Sequence, residues 1–119
     1  MLGGNYHGHY NNKAPDTPRS FIWGQENEKH PIMKGLSTDK RITTCWLYKV
    51  GPLADTATPL MWGQYLDNPP EPVASTNINK FGGRVYYIAL GHPDDFESDD
   101  FRTMLRNGML WAVKKSPNE

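Results

Sequence analysis

The run Gly82-Gly83-Arg84-Val85-Tyr86-Tyr87-Ile88-Ala89-Leu90-Gly91-His92-Pro93-Asp94-Asp95 limits most what this chain can fold into. Its middle is β-branched and aromatic, as in a strand that packs on at least one face. It stops at Gly91-His92-Pro93, and a helix follows within a few residues. Ser98 or Asp99 can cap that helix, and Asp99 and Asp100 suit the positive end of its dipole. Phe101, Met104, Leu105, Gly108, Met109 and Ala112 recur at the spacing of one helical face. Lys114 and Lys115 complement the far end and Pro117 stops it, which predicts a helix over 98–115. Gly108 on the buried face costs roughly 1 kcal/mol against alanine, so a close helix–sheet approach is the expected reason for it. Upstream, residues 72–77 form a short strand, and Asn79-Lys80-Phe81-Gly82-Gly83 is a turn, so 72–77 and 84–90 should pair as a hairpin. A strand that hands a histidine to a turn before a helix is an α/β arrangement, and such sheets bind ligands beyond the carboxyl ends of their strands.

Further strands are expected at 19–23, 40–48 and 58–65. A turn or a single helical turn closed by Gly35 is expected around His30-Pro31, and residues 1–18 read as a loop. The chain has 119 residues, enough for one small core, but its 37% apolar share is low and its ten Pro and eleven Gly imply many loops. Four Trp, six Tyr and four Phe argue for a folded chain. The expectation is a loop-rich domain or part of something larger. Thirteen basic residues balance thirteen acidic ones, which disfavours nucleic acid as a partner, because that needs a basic face. A neutral small or sugar-like ligand fits better. No stretch approaches the roughly 20 apolar residues of a membrane span, and Met1-Leu2-Gly3-Gly4 has no signal-peptide character. The compartment is left open, with the cytoplasm slightly favoured, since a signal could lie in a preceding segment. Cys45 is alone, so no internal disulfide can form, and its β-prone surroundings suit a buried structural thiol.

Chemistry concentrates in histidines. His92 can serve as acid, base or ligand near neutral pH, with Asp94 close enough to orient it and Asp95 beside it. His7 and His9 form His-x-His. On an extended segment they would point the same way and could hold a divalent metal with His92 as a third ligand, or simply line a polar pocket with Asn5 and Tyr6. No other cofactor is implied. His30 reads as structural. Trp46, Tyr48, Trp62 and Tyr65 could stack on a sugar ring or fill the core. Glu71 and Arg84 could pair beside the hairpin.

Five segments in order resemble ThuA-like (trehalose utilisation) proteins. They are Gly-Gly-x-Tyr-x-Gly-His at residues 3–9, His30-Pro31-Ile32 with Gly35-Leu36, Glu71-Pro72-Val73-Ala74, Gly83 to His92, and Phe101-Arg102 to Asn107-Gly108-Met109-Leu110-Trp111-Ala112. The resemblance implies an α/β fold of the flavodoxin-like, class I glutamine amidotransferase-like type, a sandwich of parallel strands with antiparallel additions and helices on both faces. Residues 1–119 would be its C-terminal part, with a β-hairpin and a final helix, and an N-terminal half-domain or a second copy would cover the rest of the sheet. His92-Pro93-Asp94 looks like the His-Pro-Glu turn of amidotransferases with Asp in place of Glu, but the amidotransferase cysteine is missing. The resemblance therefore implies carbohydrate utilisation, as a hydrolase or isomerase acting on a sugar derivative with His92 and Asp94 as catalytic pair and His9, His7, Tyr6 and Asn5 on the substrate. The alternative is a non-catalytic sugar-binding or interaction module.

Overall fold

The computed structural model describes residues 2–10, 20–24, 27–37, 39–43 and 46–114. Cys45 lies outside them. Among the described residues five strands form one sheet: β1 (Ser20–Trp23), β2 (Arg41–Thr43), β3 (Thr58–Gln64), β4 (Glu71–Ile78) and β5 (Arg84–Ile88). Their order is β2-β1-β3-β4-β5, and all four pairings are antiparallel. Short links explain this for β3, β4 and β5, because a parallel crossover needs a dozen or more residues. The antiparallel additions of the expected sandwich thus make up the whole described sheet. A 3-10 turn (Pro31–Met33) lies between β1 and β2, and a second (Pro93–Glu97) precedes the one α-helix among the described residues, α1 (Asp99–Ala112). Among the described residues no helix is long and apolar enough to cross a membrane.

The hairpin forms as expected, with Ser75 opposite Tyr87 and Ile78 opposite Arg84. Its turn closes on Asn79, whose Oδ1 accepts from the backbone N–H of Phe81 (2.9 Å) and of Gly83 (2.8 Å). β4 lies between β3 and the edge strand β5, and Pro72 to Asn77 are all buried. Successive side chains of a strand point to opposite faces, so both faces of β4 are covered. One face packs against α1, where Tyr86 meets Gly108. The other lies beneath segments 2–10 and 46–53, where Ser75 and Tyr87 face Tyr6, Val50 and Leu53. The core joins Ile22, Ile32, Met33, Leu60, Met61, Ala74, Met104 and Trp111, with Leu47 and Val73.

Three sequence expectations change. The buried side of α1 carries Phe101, Met104, Asn107, Gly108 and Trp111, whereas Met109 is 59% exposed. The buried stripe is rotated toward a polar residue, because Nδ2 of Asn107 donates to the carbonyl oxygens of Ile32 and Lys34, both at 3.0 Å. Those carbonyls at the end of the first 3-10 turn have no partner within that turn, so a buried amide there is satisfied rather than penalised. Glu71 and Arg84 do not pair. Antiparallel register sets Arg84 beside Ile78, at the far end of β4 from Glu71 and roughly 20 Å away at about 3.3 Å per residue. Glu71 instead accepts from the N–H groups of Val50 (2.7 Å) and Gly51 (3.1 Å). Arg84 donates to the Trp111 carbonyl (2.8 Å) and lies 4.9 Å over that indole. Of the expected strand 40–48, Arg41–Thr43 is strand and Tyr48 makes an isolated bridge to His9.

Candidate functional site

His92 stands at the cap position of the second 3-10 turn, at the end of the segment that leaves β5. Its Nδ1 accepts from the backbone N–H of Asp94 at 3.1 Å, so the neutral ring carries its proton on Nε2. The Asp94 carboxylate stands 3.6 Å from Nδ1 and pairs with the ring when it is protonated. The turn is fixed from below by Asp95, a buried residue. One carboxylate oxygen accepts from the N–H groups of Gly91 (2.9 Å) and His92 (3.0 Å), and the other faces the Thr43 hydroxyl at 3.4 Å. These bonds compensate the desolvation of a buried carboxylate. Beside the turn lies a cleft of about 130 Å³ with an apolar floor of Ile22, Met61, Leu90, Phe101 and Met104. Asp94, Asp95, Asp100 and Arg41 line its rim, and Arg41 is paired with Asp100.

A second group of side chains gathers on the face opposite α1. The N-terminal segment runs beside residues 47–49: the N–H of His7 donates to the Lys49 carbonyl (2.8 Å), that of Lys49 to Gly8 (2.8 Å) and that of Tyr10 to Leu47 (2.9 Å). Gly4 permits the close approach further back, since a Cβ there would stand 2.7 Å from the Val50 carbonyl oxygen. This pairing brings aromatic rings together. His9 stacks on Trp46 with ring centres 4.1 Å apart, and Tyr6 meets Tyr48 edge-on at 5.3 Å. Tyr10 lies 5.8 Å from Tyr65 and beneath the Lys49 ammonium, 4.4 Å away. Tyr6 is 61% exposed and Tyr48 37% exposed, so the pair forms a ledge open to solvent. Tyr87 lies behind it. Burial, and then the neighbouring Tyr48, push its phenol pKa upward.

His9 and Tyr6 are therefore brought together, with Asn5 and His7 exposed on the same segment. The positive φ of Gly8 (117°) breaks the extended run on which a same-side His7–His9 pair rested. Among the described residues no three His, Cys, Asp or Glu side chains gather closely enough to hold a metal ion. His30 accepts the Ile32 N–H at 3.2 Å and lies 5.4 Å from the Trp111 ring. Burial and then Arg84 lower its pKa. Trp46 and Tyr48 had an ambiguous signal in the sequence. What decides for a surface is their pairing with Tyr6 and His9 of the N-terminal segment, far away in sequence, which alternation along one strand does not reveal.

An antiparallel α/β layer with a histidine turn at one end of the sheet and an aromatic ledge on its loop face defines the class of fold. Comparison with known proteins gives the family. The family model described as ThuA, trehalose utilisation, matches residues 1–112, and the chain belongs to that family. A crystal structure of a protein described as ThuA-like from Bacteroides uniformis superposes with a TM-score of 0.70 at 19% identity, over 98% of this chain and 50% of that one. At that identity the likeness shows a shared fold, which is the flavodoxin-like, amidotransferase-like α/β class. The chain spans about half the length of that protein. No curated protein matches.

Proposed function

We propose that this chain is the sugar-binding part of a carbohydrate-utilising protein, and that sugar docks on the ledge built by Tyr6, His9, Trp46 and Tyr48. The observation that carries this reading is the pair of exposed tyrosines braced by the stacked His9–Trp46 pair. Aromatic faces at a wet surface offer apolar area with a polar rim, which suits the C–H faces and hydroxyls of a pyranose. The zero formal charge of the chain fits a neutral ligand, and the family's description points to trehalose or a related sugar. Asn5 and His7, exposed on the same segment, supply hydrogen-bonding groups at the margin. Calorimetric titration with trehalose and glucose tests this. The wild-type chain should bind, and Tyr48→Ala should weaken binding at least tenfold, with about threefold or more for His9→Ala. Equal affinity in all three proteins would reject the ledge.

A second reading keeps His92 as an acid or base acting on a sugar derivative, with Asp94 beside it. It is favoured by the fixed ring, held by the Asp94 N–H at Nδ1 with the Asp94 carboxylate 3.6 Å away to pair with the charged form. If a sugar-derivative turnover is found, His92→Gln should reduce it at least a hundredfold while leaving sugar affinity on the ledge intact. Undiminished turnover would remove His92 from the chemistry.

A further inference from the structure

Behind the ledge lies a recess of about 70 Å³ between the N-terminal segment, residues 50–53 and the hairpin. Tyr6 belongs to both, since it forms the front wall of the recess and half of the ledge. The remaining walls are Leu2, Gly4, Val50, Leu53 and Tyr87, with Ser75 at the sheet. Ser75 is fully buried, and its Oγ has no hydrogen-bond partner among the described residues. A buried hydroxyl without a partner is costly, and native structures rarely keep one without a use for it. Ser75 sits directly opposite Tyr87 in the hairpin, so the hydroxyl belongs to the same sheet face as the recess. The volume is several times the roughly 10–15 Å³ that one water occupies. It is well below the roughly 300 Å³ of pockets that enclose a whole small molecule. The recess therefore has room for a substituent of a ring that itself stays outside.

We infer that this recess is a subsite for the hydroxymethyl group of a hexose whose ring lies on the Tyr6–Tyr48 ledge, with Ser75 Oγ as the hydrogen-bond partner of that hydroxyl. The inference rests on the sugar-binding reading above and adds what it lacks, a basis for choosing among sugars. The apolar walls of Leu2, Val50 and Leu53 take the methylene, and Ser75 takes the oxygen. A sugar without that oxygen leaves Ser75 unpartnered, and a pentose leaves the recess unfilled.

The test measures affinities of the full chain for glucose, 6-deoxyglucose and xylose by ligand-observed NMR, with Ser75→Ala and Tyr48→Ala variants. Wild-type protein should prefer glucose over 6-deoxyglucose by roughly tenfold, the worth of one hydrogen bond. Ser75→Ala should bind the two alike, with a melting temperature equal to or above that of the wild type because an unpartnered buried hydroxyl is gone. A purely structural Ser75 would leave the preference intact in Ser75→Ala, and that outcome overturns the subsite. Equal wild-type affinity for glucose and 6-deoxyglucose, with binding still lost in Tyr48→Ala, also overturns the subsite but leaves the ledge standing. No binding of any of the three sugars to wild-type protein overturns both.

Discussion

Gly108 shows how little space separates helix and hairpin. A Cβ at this position would stand 1.9 Å from Tyr86 Cε1 and 2.1 Å from Cδ1, so no rotamer shift of a few tenths of an ångström relieves it. Gly108→Ala should destabilise the protein by about 1–3 kcal/mol in urea denaturation, the usual cost of overpacking, despite the helix propensity that alanine gains. Equal or greater stability would show that α1 is not seated on Tyr86. His30 gives a second test at this scale, through pH. Its folded-state pKa is lowered from 6.5, first by burial and then by Arg84, so the unfolded chain takes up the proton first as pH falls. Stability from this group is therefore full above pH 6.5 and declines as pH drops through that value toward the lowered one. His30→Asn keeps a capping acceptor for Ile32 and should flatten that part of the stability–pH curve relative to wild type. Parallel curves between pH 7 and 5 would contradict the assignment.

At the level of elements, the segments that carry the family resemblance interlock as architecture. Asn107 holds the carbonyls of Ile32 and Lys34, Gly108 admits Tyr86, and Trp111 receives both Arg84 and the His30 ring. The blocks around His30-Pro31-Ile32, Gly83 to Tyr86 and Asn107 to Trp111 are thus one packing unit. Helix face selection follows from it. Met109→Lys should change stability by no more than about 0.5 kcal/mol, as at other exposed positions, whereas Trp111→Ala should cost about 3–5 kcal/mol. Thermal and urea unfolding of the two variants distinguish this from the face read off periodicity, which would make Met109→Lys the damaging one. The hairpin, the helix and the histidine turn were legible in the sequence because each is set by local signals: Asn79 with the two glycines, Ser98 as cap, Gly91-His92-Pro93. The rotated helix face was not, because an amide satisfied by carbonyls some 75 positions away in sequence looks like a surface residue. The Glu71–Arg84 pairing failed for a related reason, since proximity across a hairpin depends on register and both residues sit at opposite ends of it.

For the molecule as a whole, the sheet separates two candidate centres. The His92 turn belongs to the end of the hairpin that leads into α1, while the aromatic ledge lies on the opposite, loop-covered face. The sequence named His9 and Tyr6 through the glycine-rich start, but the ledge depends on residues 46–48 folding alongside them, a long-range pairing that no local pattern encodes. The family's description, trehalose utilisation, and a chain without net charge agree with the proposal that this surface takes a neutral polar ring by stacking. The most direct test follows the backbone amide and aromatic-ring NMR signals of the labelled full chain during titration with trehalose. The account predicts saturable shifts at Tyr6, His9, Trp46 and Tyr48, with the hairpin turn at Asn79–Gly83 unmoved. Saturable shifts centred on the His92 turn with the ledge silent, or no shifts at those four residues up to high millimolar sugar, would contradict it.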